Sequence, residues 1–242
     1  MAHHNQLKFI ELIANEVFCH SSNLKILEIG AYNVNGLDLR NFFNSPDYTA
    51  TDLIIGPNID LVCPGQEINH PDNTYDITIS CECFEHNPHW KLTLFNMIRM
   101  TKEDGYVIFS CATDGRIEHG TLRSSPESSP GTQSNNINYY KNLTVNDFDE
   151  GSLQYLHSYK FIINNQSHDL YFVGIKKAIK QKNNLSDNLI EKINSIREKK
   201  SILFSIWKIP LSLAHKILSE EKYQIFGIAW HKFGHKIKKV FL

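Results

Sequence analysis

The sequence predicts an α/β fold: a doubly wound, mostly parallel sheet of seven strands that ends in an antiparallel hairpin and is followed by a helical C-terminal tail. Three observations predict it. Short apolar runs alternate with segments whose apolar residues recur at helical spacing. The first run, Lys25-Ile-Leu-Glu-Ile-Gly30, is hydrophobic enough for a buried parallel strand and opens directly into a turn bounded by Gly30 and Gly36. Far downstream, Phe161–Ile163 and Leu170–Ile175 flank Asn164-Asn165-Gln166-Ser167, a polar break that reads as a hairpin turn.

Each element has its own reason. Leu7, Ile10, Ile13, Ala14 and Val17 share one helical face, so residues 5–20 form a first helix. Leu37–Phe43 is expected as a short helix stopped by Asn44-Ser45-Pro46. Tyr48–Thr51 forms strand two, ending at Asp52, and Ile59–Val62 a short strand three after the Gly56-Pro57 turn. Tyr75–Cys81 alternates Ile77, Ile79 and Cys81 as strand four, and Trp90–Met100 repeats apolar residues as a helix. Glu103-Asp104-Gly105 is expected to turn into strand five, Tyr106–Cys111. Residues 113–142 are rich in Gly, Ser, Pro, Asn and Thr, and a connection this long marks a binding loop or lid. Thr144 with Asp147 three residues on resembles a capping box that opens another helix.

Composition is that of an ordinary globular protein, but the charge is split. Residues 1–175 hold 10 Lys and Arg against 21 Asp and Glu, whereas residues 176–242 hold 15 against 5. Two parts with different partners are expected: a domain over 1–178 with its loop at about 112–142, and a basic helical extension over 179–242. The five cysteines are odd in number and irregularly spaced, and Cys81-x-Cys83 is neither a zinc nor a redox spacing. They are expected as reduced thiols of a cytoplasmic protein, and no metal site is expected. The N-terminus lacks the basic and apolar regions of a secretory signal.

In a doubly wound sheet, ligands bind beyond the carboxyl ends of the strands, near the switch in strand order. Acids gather at that rim. Glu28 sits inside the first apolar run, where a carboxylate is costly unless paired. Asp52 follows Gly30 by about 20 residues, the spacing at which an acid accepts ribose hydroxyls. Strand four runs out into Ser80-Cys-Glu82-Cys-Phe-Glu85-His86, two carboxylates and an imidazole at one edge. A dinucleotide fingerprint needs Gly-x-Gly-x-x-Gly, which Gly30-Ala-Tyr-Asn-Val-Asn-Gly36 does not supply.

Taken in order, Leu27-Glu28-Ile-Gly30, Asp52, Asp76-Ile-Thr-Ile-Ser80-Cys-Glu82-Cys-Phe-Glu85-His86 and Asp104-Gly105-Tyr-Val-Ile resemble the class I S-adenosylmethionine-dependent methyltransferases, in their small-molecule, type 11-like branch. The resemblance spans residues 24–120, weakens to 175 and is absent beyond. It implies a Rossmann-like fold and S-adenosyl-L-methionine as cofactor. By that resemblance Glu28, Gly30 and Gly36 frame the methionine portion, Asp52 binds the ribose and Gln66 lies by the adenine. Cys81 and Glu82 then face the sulfonium, a cation favoured beside carboxylates. Tyr32-Asn33 departs from the pattern, standing where the family has a middle glycine.

The acceptor is less constrained. A base near neutral pKa aids transfer to a hydroxyl or amine, and His119 on the long loop is preferred to His86 on the rim as that residue. Asn135, Asn136, Asn138, Tyr139 and Tyr140 offer groups that hydrogen-bond a hydroxylated ligand, so a small-molecule acceptor, a sugar or glycan precursor, leads. The acidic front half argues against nucleic acid. A non-catalytic scaffold or peripheral membrane protein acting through the basic tail is the alternative. In that tail, Phe226, Trp230, Phe233, Ile237 and Val240 face away from six basic residues, the profile of an interfacial helix. Peripheral contact with the inner face of a membrane, or self-association through 201–242, is one expected task of the tail; packing on its own domain or on a partner subunit is the reading set against it, and the weightier of the two.

Overall fold

The computed structural model describes residues 4–241 except 20, 22, 37 and 44, and over 235–241 describes the helix alone. In chain order the elements are α1 (His4–Val17), β1 (Lys25–Ile29), β2 (Asp47–Asp52), β3 (Leu61–Val62), β4 (Tyr75–Cys81), α2 (Trp90–Met100), β5 (Thr101–Ala112), α3 (Pro130–Ser134), α4 (Glu150–Leu153), β6 (Leu156–Asn164), β7 (Asp169–Lys176), α5 (Asp187–Asn194), α6 (Ile202–Ile217) and α7 (Glu220–Phe241). The seven strands form one sheet in the order β3-β2-β1-β4-β5-β7-β6. The first five are parallel, and β7 inserts antiparallel between β5 and β6. Strand order reverses between β1 and β4, which opens a crevice at their carboxyl ends.

The period-two alternation of the strands builds a core on each face. On one face, Phe9, Ile10 and Ile13 of α1 pack with Ile26, Ile77 and Ile108, and the Phe9 ring stacks on Tyr171 at 4.4 Å. On the other, Leu94, Met97 and Ile98 of α2 pack with Leu27, Val107 and Phe109. Phe109 stacks on Phe172 at 4.5 Å and on Phe148 at 5.1 Å. Each fully buried side chain of this kind contributes about 1.5–3 kcal/mol, so both layers are anchored well before the loops are considered.

Several boundaries differ from expectation, each for a local reason. The helix expected over 37–43 is a 3-10 turn, Leu39–Phe42, whose cap Asp38 accepts from the Arg40 N–H at 2.9 Å; Leu37, Asn44 and His20 lie outside the described residues. The turn expected at Glu103-Asp104-Gly105 is an irregularity inside β5, which starts at Thr101. Asp104 takes φ +64° there, and its carboxylate accepts the Asn183 N–H at 3.0 Å, so the strand continues past the kink. Gly105 is needed because a Cβ would lie 2.8 Å from the Asp76 carbonyl. Strand three shortens to Leu61–Val62, and the hairpin strands lengthen to nine and eight residues. The Thr144 capping box is present, but it opens a 3-10 turn, Val145–Asp147, rather than an α-helix. The helical pattern over 185–200 folds only as α5, capped by Ser186.

The basic tail returns to the domain. In α7, Tyr223 and Gln224 are buried against the loop after β5: the Tyr223 hydroxyl donates to the Gly115 carbonyl at 2.7 Å, and Gln224 donates to the Arg116 carbonyl at 2.8 Å. Gly227 meets Ile117 where no Cβ has room. Trp230 stacks on Trp207 of α6 at 4.5 Å, joining the two helices. Among the described residues of the expected interfacial face, Phe226 and Trp230 are thus half-buried and Phe233 remains exposed. The larger exposed apolar surface is on α6, at Ile202, Leu203, Ile206, Ile209, Leu213 and Ile217. No helix among the described residues is long and apolar enough to cross a membrane.

Candidate active site

At the crevice between β1 and β4 lies a cavity of about 360 Å³, within the range of small-molecule sites. Of the residues singled out from the sequence, Glu28, Gly30, Asp52, Gln66, Cys81, Glu82 and His86 line it; Gly36 and His119 are not in its wall.

Gly30 ends β1 at φ +79°, and a Cβ there would lie 2.7 Å from both Cβ and Sγ of Cys83. Glycine is required twice over, by the left-handed backbone and by the approach of the loop after β4. Gly36 has the same φ with open space around it, so only its backbone angle matters. Between them, Tyr32 uses its N–H to donate to Asp52 Oδ2 at 2.8 Å and lays its ring over Gly56. The residue that departs from the family pattern therefore ties the loop to the acid of β2.

Two acids face the cavity from adjacent strands. Glu28 accepts a hydrogen bond from the Tyr48 hydroxyl at 2.8 Å, and burial raises its pKa to about 7 despite that bond. Asp52 Oδ1 accepts the Leu53 N–H at 2.7 Å. Burial raises the Asp52 pKa, while the N–H groups of Tyr32 and Leu53 pull it back. Across the cavity, the segment after β3 is held by Asn96 of α2, whose amide donates to the carbonyls of Gly65 at 2.8 Å and Ile68 at 3.0 Å. Gln66 is thereby presented to the cavity, and Thr93 donates to its side-chain oxygen at 3.3 Å.

The rim after β4 is more strained. Glu82 adopts φ +51°, a sparsely populated state for a residue with a side chain. Its carboxylate accepts the Ser110 hydroxyl at 3.1 Å and lies 3.6 Å from Arg116, which also pairs with buried Asp169 at 3.1 Å. Glu85 is fully buried and neither of its carboxylate oxygens has a hydrogen-bond partner among the described residues; burial and the nearby Glu82 raise its pKa. Burial lowers the His86 pKa to about 3, and both of its ring nitrogens also lack partners. His119 stands behind His86 edge to face at 4.9 Å, and burial, followed by the neighbouring His86, lowers its pKa as well.

The 113–142 segment folds across the cavity. Its short helix α3 brings Gly131 against Asp52, where a Cβ would lie 2.7 Å from Oδ1, and Asn135 donates to the Leu53 carbonyl at 3.3 Å. Ser128, Ser129, Thr132 and Asn135 add polar groups to the wall. Other loop residues are spent internally: Asn138 accepts the Leu122 N–H at 3.0 Å, and Tyr140 donates to Asn142 at 3.0 Å while its ring covers His86 and His119. The stem is clamped by Arg123, which pairs with Glu118 and with Glu221 of α7, and by Gln224, which accepts the Glu118 N–H at 2.6 Å. Sequence reasoning missed Asn96, Arg116 and Gln224, because none belongs to a rim motif and each acts through a long-range contact.

Residues 19–109 match the family described as a methyltransferase domain. No curated protein matches the chain. Among solved structures, the chain is similar to the 1,6-didemethyltoxoflavin-N1-methyltransferase of Burkholderia thailandensis, at 17% identity over 70% of this chain and 79% of that one, with a TM-score of 0.48. It is also similar to phosphoethanolamine N-methyltransferase 2 of Haemonchus contortus, at 14% identity over 72% of this chain and 53% of that one, with a TM-score of 0.48. Residues 19–109 thus carry the match to the methyltransferase-domain family, and the strand order with β7 antiparallel and the motifs standing at the ends of β1, β2 and β4 agree with it.

Proposed function

We propose that this enzyme methylates a hydroxyl or amine of a hydroxylated small molecule, with a sugar or glycan precursor as the leading class. The observation that carries the reading is the lid of residues 113–142, which lines the cavity with the hydroxyls of Ser128, Ser129 and Thr132 and the amide of Asn135.

S-adenosylmethionine supplies a methyl group already activated by its sulfonium. The residues fit it on structural grounds: two carboxylates face the cavity beside a glycine that leaves the backbone bare. In our reading, Glu28 meets the cationic methionine end, Asp52 takes the ribose hydroxyls, Gln66 borders the adenine, and Cys81 and Glu82 form the wall nearest the sulfonium. Gly30 and Gly36 set the path of the loop. The lid then aligns the acceptor and excludes water, which is most of what an in-line transfer asks of the protein. His86 is the imidazole at the acceptor side, with His119 positioned behind it. An imidazole held neutral to about pH 3 is a weak proton acceptor, so the pair acts chiefly by orienting the acceptor oxygen or nitrogen.

The extension from 179 onward serves this site by clamping the lid stem through Gln224 and Glu221. Its uncovered α6 face is the surface on which a membrane or a second copy would act. The test of the main reading is a screen of nucleotide sugars and glycans with labelled cofactor. Label transferred to a hydroxyl or amine is expected; transfer solely to nucleic acid or protein would overturn the proposed acceptor class.

A further inference from the structure

We propose that Glu85, His86 and His119 bind one divalent transition cation of the Zn²⁺, Co²⁺ or Mn²⁺ type at the acceptor side of the cavity. The inference rests on the methyltransferase reading only for what the ion would do, not for its binding.

The geometry is the first support. One ligand atom from each residue lies within 4.8 Å of the others. Bonds of about 2.0–2.2 Å to a common ion need the donors somewhat closer than this, a contraction of about 1 Å. The second support is the accounting of polar atoms. Buried polar groups are nearly always paired, because an unpaired one costs about 1–3 kcal/mol. Here five such atoms, both oxygens of Glu85, both ring nitrogens of His86 and Nε2 of His119, have no hydrogen-bond partner among the described residues, and they belong to one cluster. Glu85 is 0% and His86 4% exposed. One cation bound by the Glu85 carboxylate, one ring nitrogen of His86 and Nε2 of His119 would satisfy four of the five together, and the second His86 nitrogen would carry that ring's proton.

The third support is orientation. His119 Nδ1 lies 3.1 Å from the Ile117 carbonyl. A carbonyl only accepts, so Nδ1 carries the proton and Nε2 presents its lone pair to the cluster, the usual arrangement of a ligating histidine. Tyr140 covers both imidazoles at 5.4 and 5.2 Å, which keeps water away on that side. The neighbouring rim acid, Glu82, is engaged with Arg116 and Ser110, so the two carboxylates of the segment have separate tasks.

The donor set chooses the ion. Two imidazoles and a carboxylate suit borderline divalent transition metals, while Mg²⁺ and Ca²⁺ favour all-oxygen shells. Three protein ligands leave a coordination position open, and His86 places it at the cavity wall. An acceptor oxygen entering that position would be fixed and its proton made easier to lose.

The test uses the full chain, stripped with a chelator and titrated with Co²⁺ while visible absorption is recorded. One equivalent giving ligand-field bands, competed away by Zn²⁺, is expected. The substitutions E85Q and H119A should each weaken Zn²⁺ binding by more than about 100-fold, since even outer-shell partners are worth 10–100-fold. S-adenosylmethionine affinity, measured on the same samples, should stay unchanged. Absence of ligand-field bands in the wild type, or Zn²⁺ affinity in the variants equal to wild type, would overturn the site. Loss of cofactor binding by the wild type would instead overturn the methyltransferase reading and leave the metal result standing.

Discussion

The carboxyl ends of β1 and β2 and the rim after β4 carry comparable acids but treat them differently. At the first, Glu28 is held by Tyr48 and Asp52 by two backbone N–H groups, so the site is pre-formed before any ligand arrives. At the second, Glu85 and His86 are buried and His119 half-buried, and the Glu85 oxygens, both His86 nitrogens and His119 Nε2 have no hydrogen-bond partner among the described residues. Satisfied groups buried early cost little and give a rigid cradle for a cofactor of fixed shape. Unsatisfied ones make the rim after β4 depend on what binds there.

Substitutions that separate the two regions should differ in readout. The largest effect belongs to Gly30→Ala, where a left-handed residue and a 2.7 Å contact coincide. Equilibrium unfolding should show a loss of about 2–5 kcal/mol, the sum of backbone strain and overpacking, together with loss of cofactor binding. Gly36→Ala has the same φ in open space and should cost only about 1–2 kcal/mol. Equal costs would mean that the Cys83 contact does not matter.

The next effect is electrostatic. The folded pKa of Glu28, about 7, lies above its unfolded value of 4.5, so the folded state holds the proton more tightly. Its contribution to stability is therefore fully present below pH 4.5, declines from 4.5 to 7 and stays lost above, by about 3 kcal/mol in all. A ligand cation beside Glu28 favours the carboxylate, so cofactor affinity should fall up to about tenfold per pH unit below 7. Calorimetry across pH 5.5–8 checks this, and Glu28→Gln should flatten both dependences. An identical slope in that variant would assign the titration elsewhere.

The smallest expected effect lies in the clamp between lid and tail. Gln224→Ala leaves the buried Glu118 N–H without its acceptor and should cost about 1–3 kcal/mol locally. Limited proteolysis should then cut the 113–142 segment faster, and transfer rate should drop while cofactor affinity holds. Unaltered cleavage would separate α7 from the lid.

How much of this was written in the chain follows the same division. Lys25–Ile29, Tyr75–Cys81 and Trp90–Met100 are found where periodicity placed them, because parallel strands and packed helices are decided by local pattern and burial. The rim acids also stand at strand ends as expected. What was not legible depends on distant partners: Asp104 extends β5 by bonding to Asn183, Asn96 holds Gly65, and Gln224 reaches Glu118 across 106 residues. The reading of His119 as a loop base did not foresee its packing edge to face against His86, since no local signal marks a loop that folds inward. The expectation of no metal site came from cysteine spacing, and His86 and His119 are brought together by the lid rather than by any local motif.

The most direct test of the division is calorimetric titration with S-adenosylmethionine of the wild type, Asp52→Ala and His119→Ala. Stoichiometric binding by the wild type, retained in His119→Ala and lost or weakened by about 10–100-fold in Asp52→Ala, is the expected result, a charged hydrogen bond being worth about 1.5–3 kcal/mol. Full affinity in Asp52→Ala, or equal loss in both variants, would contradict the separation of a pre-formed cofactor cradle from the acceptor side.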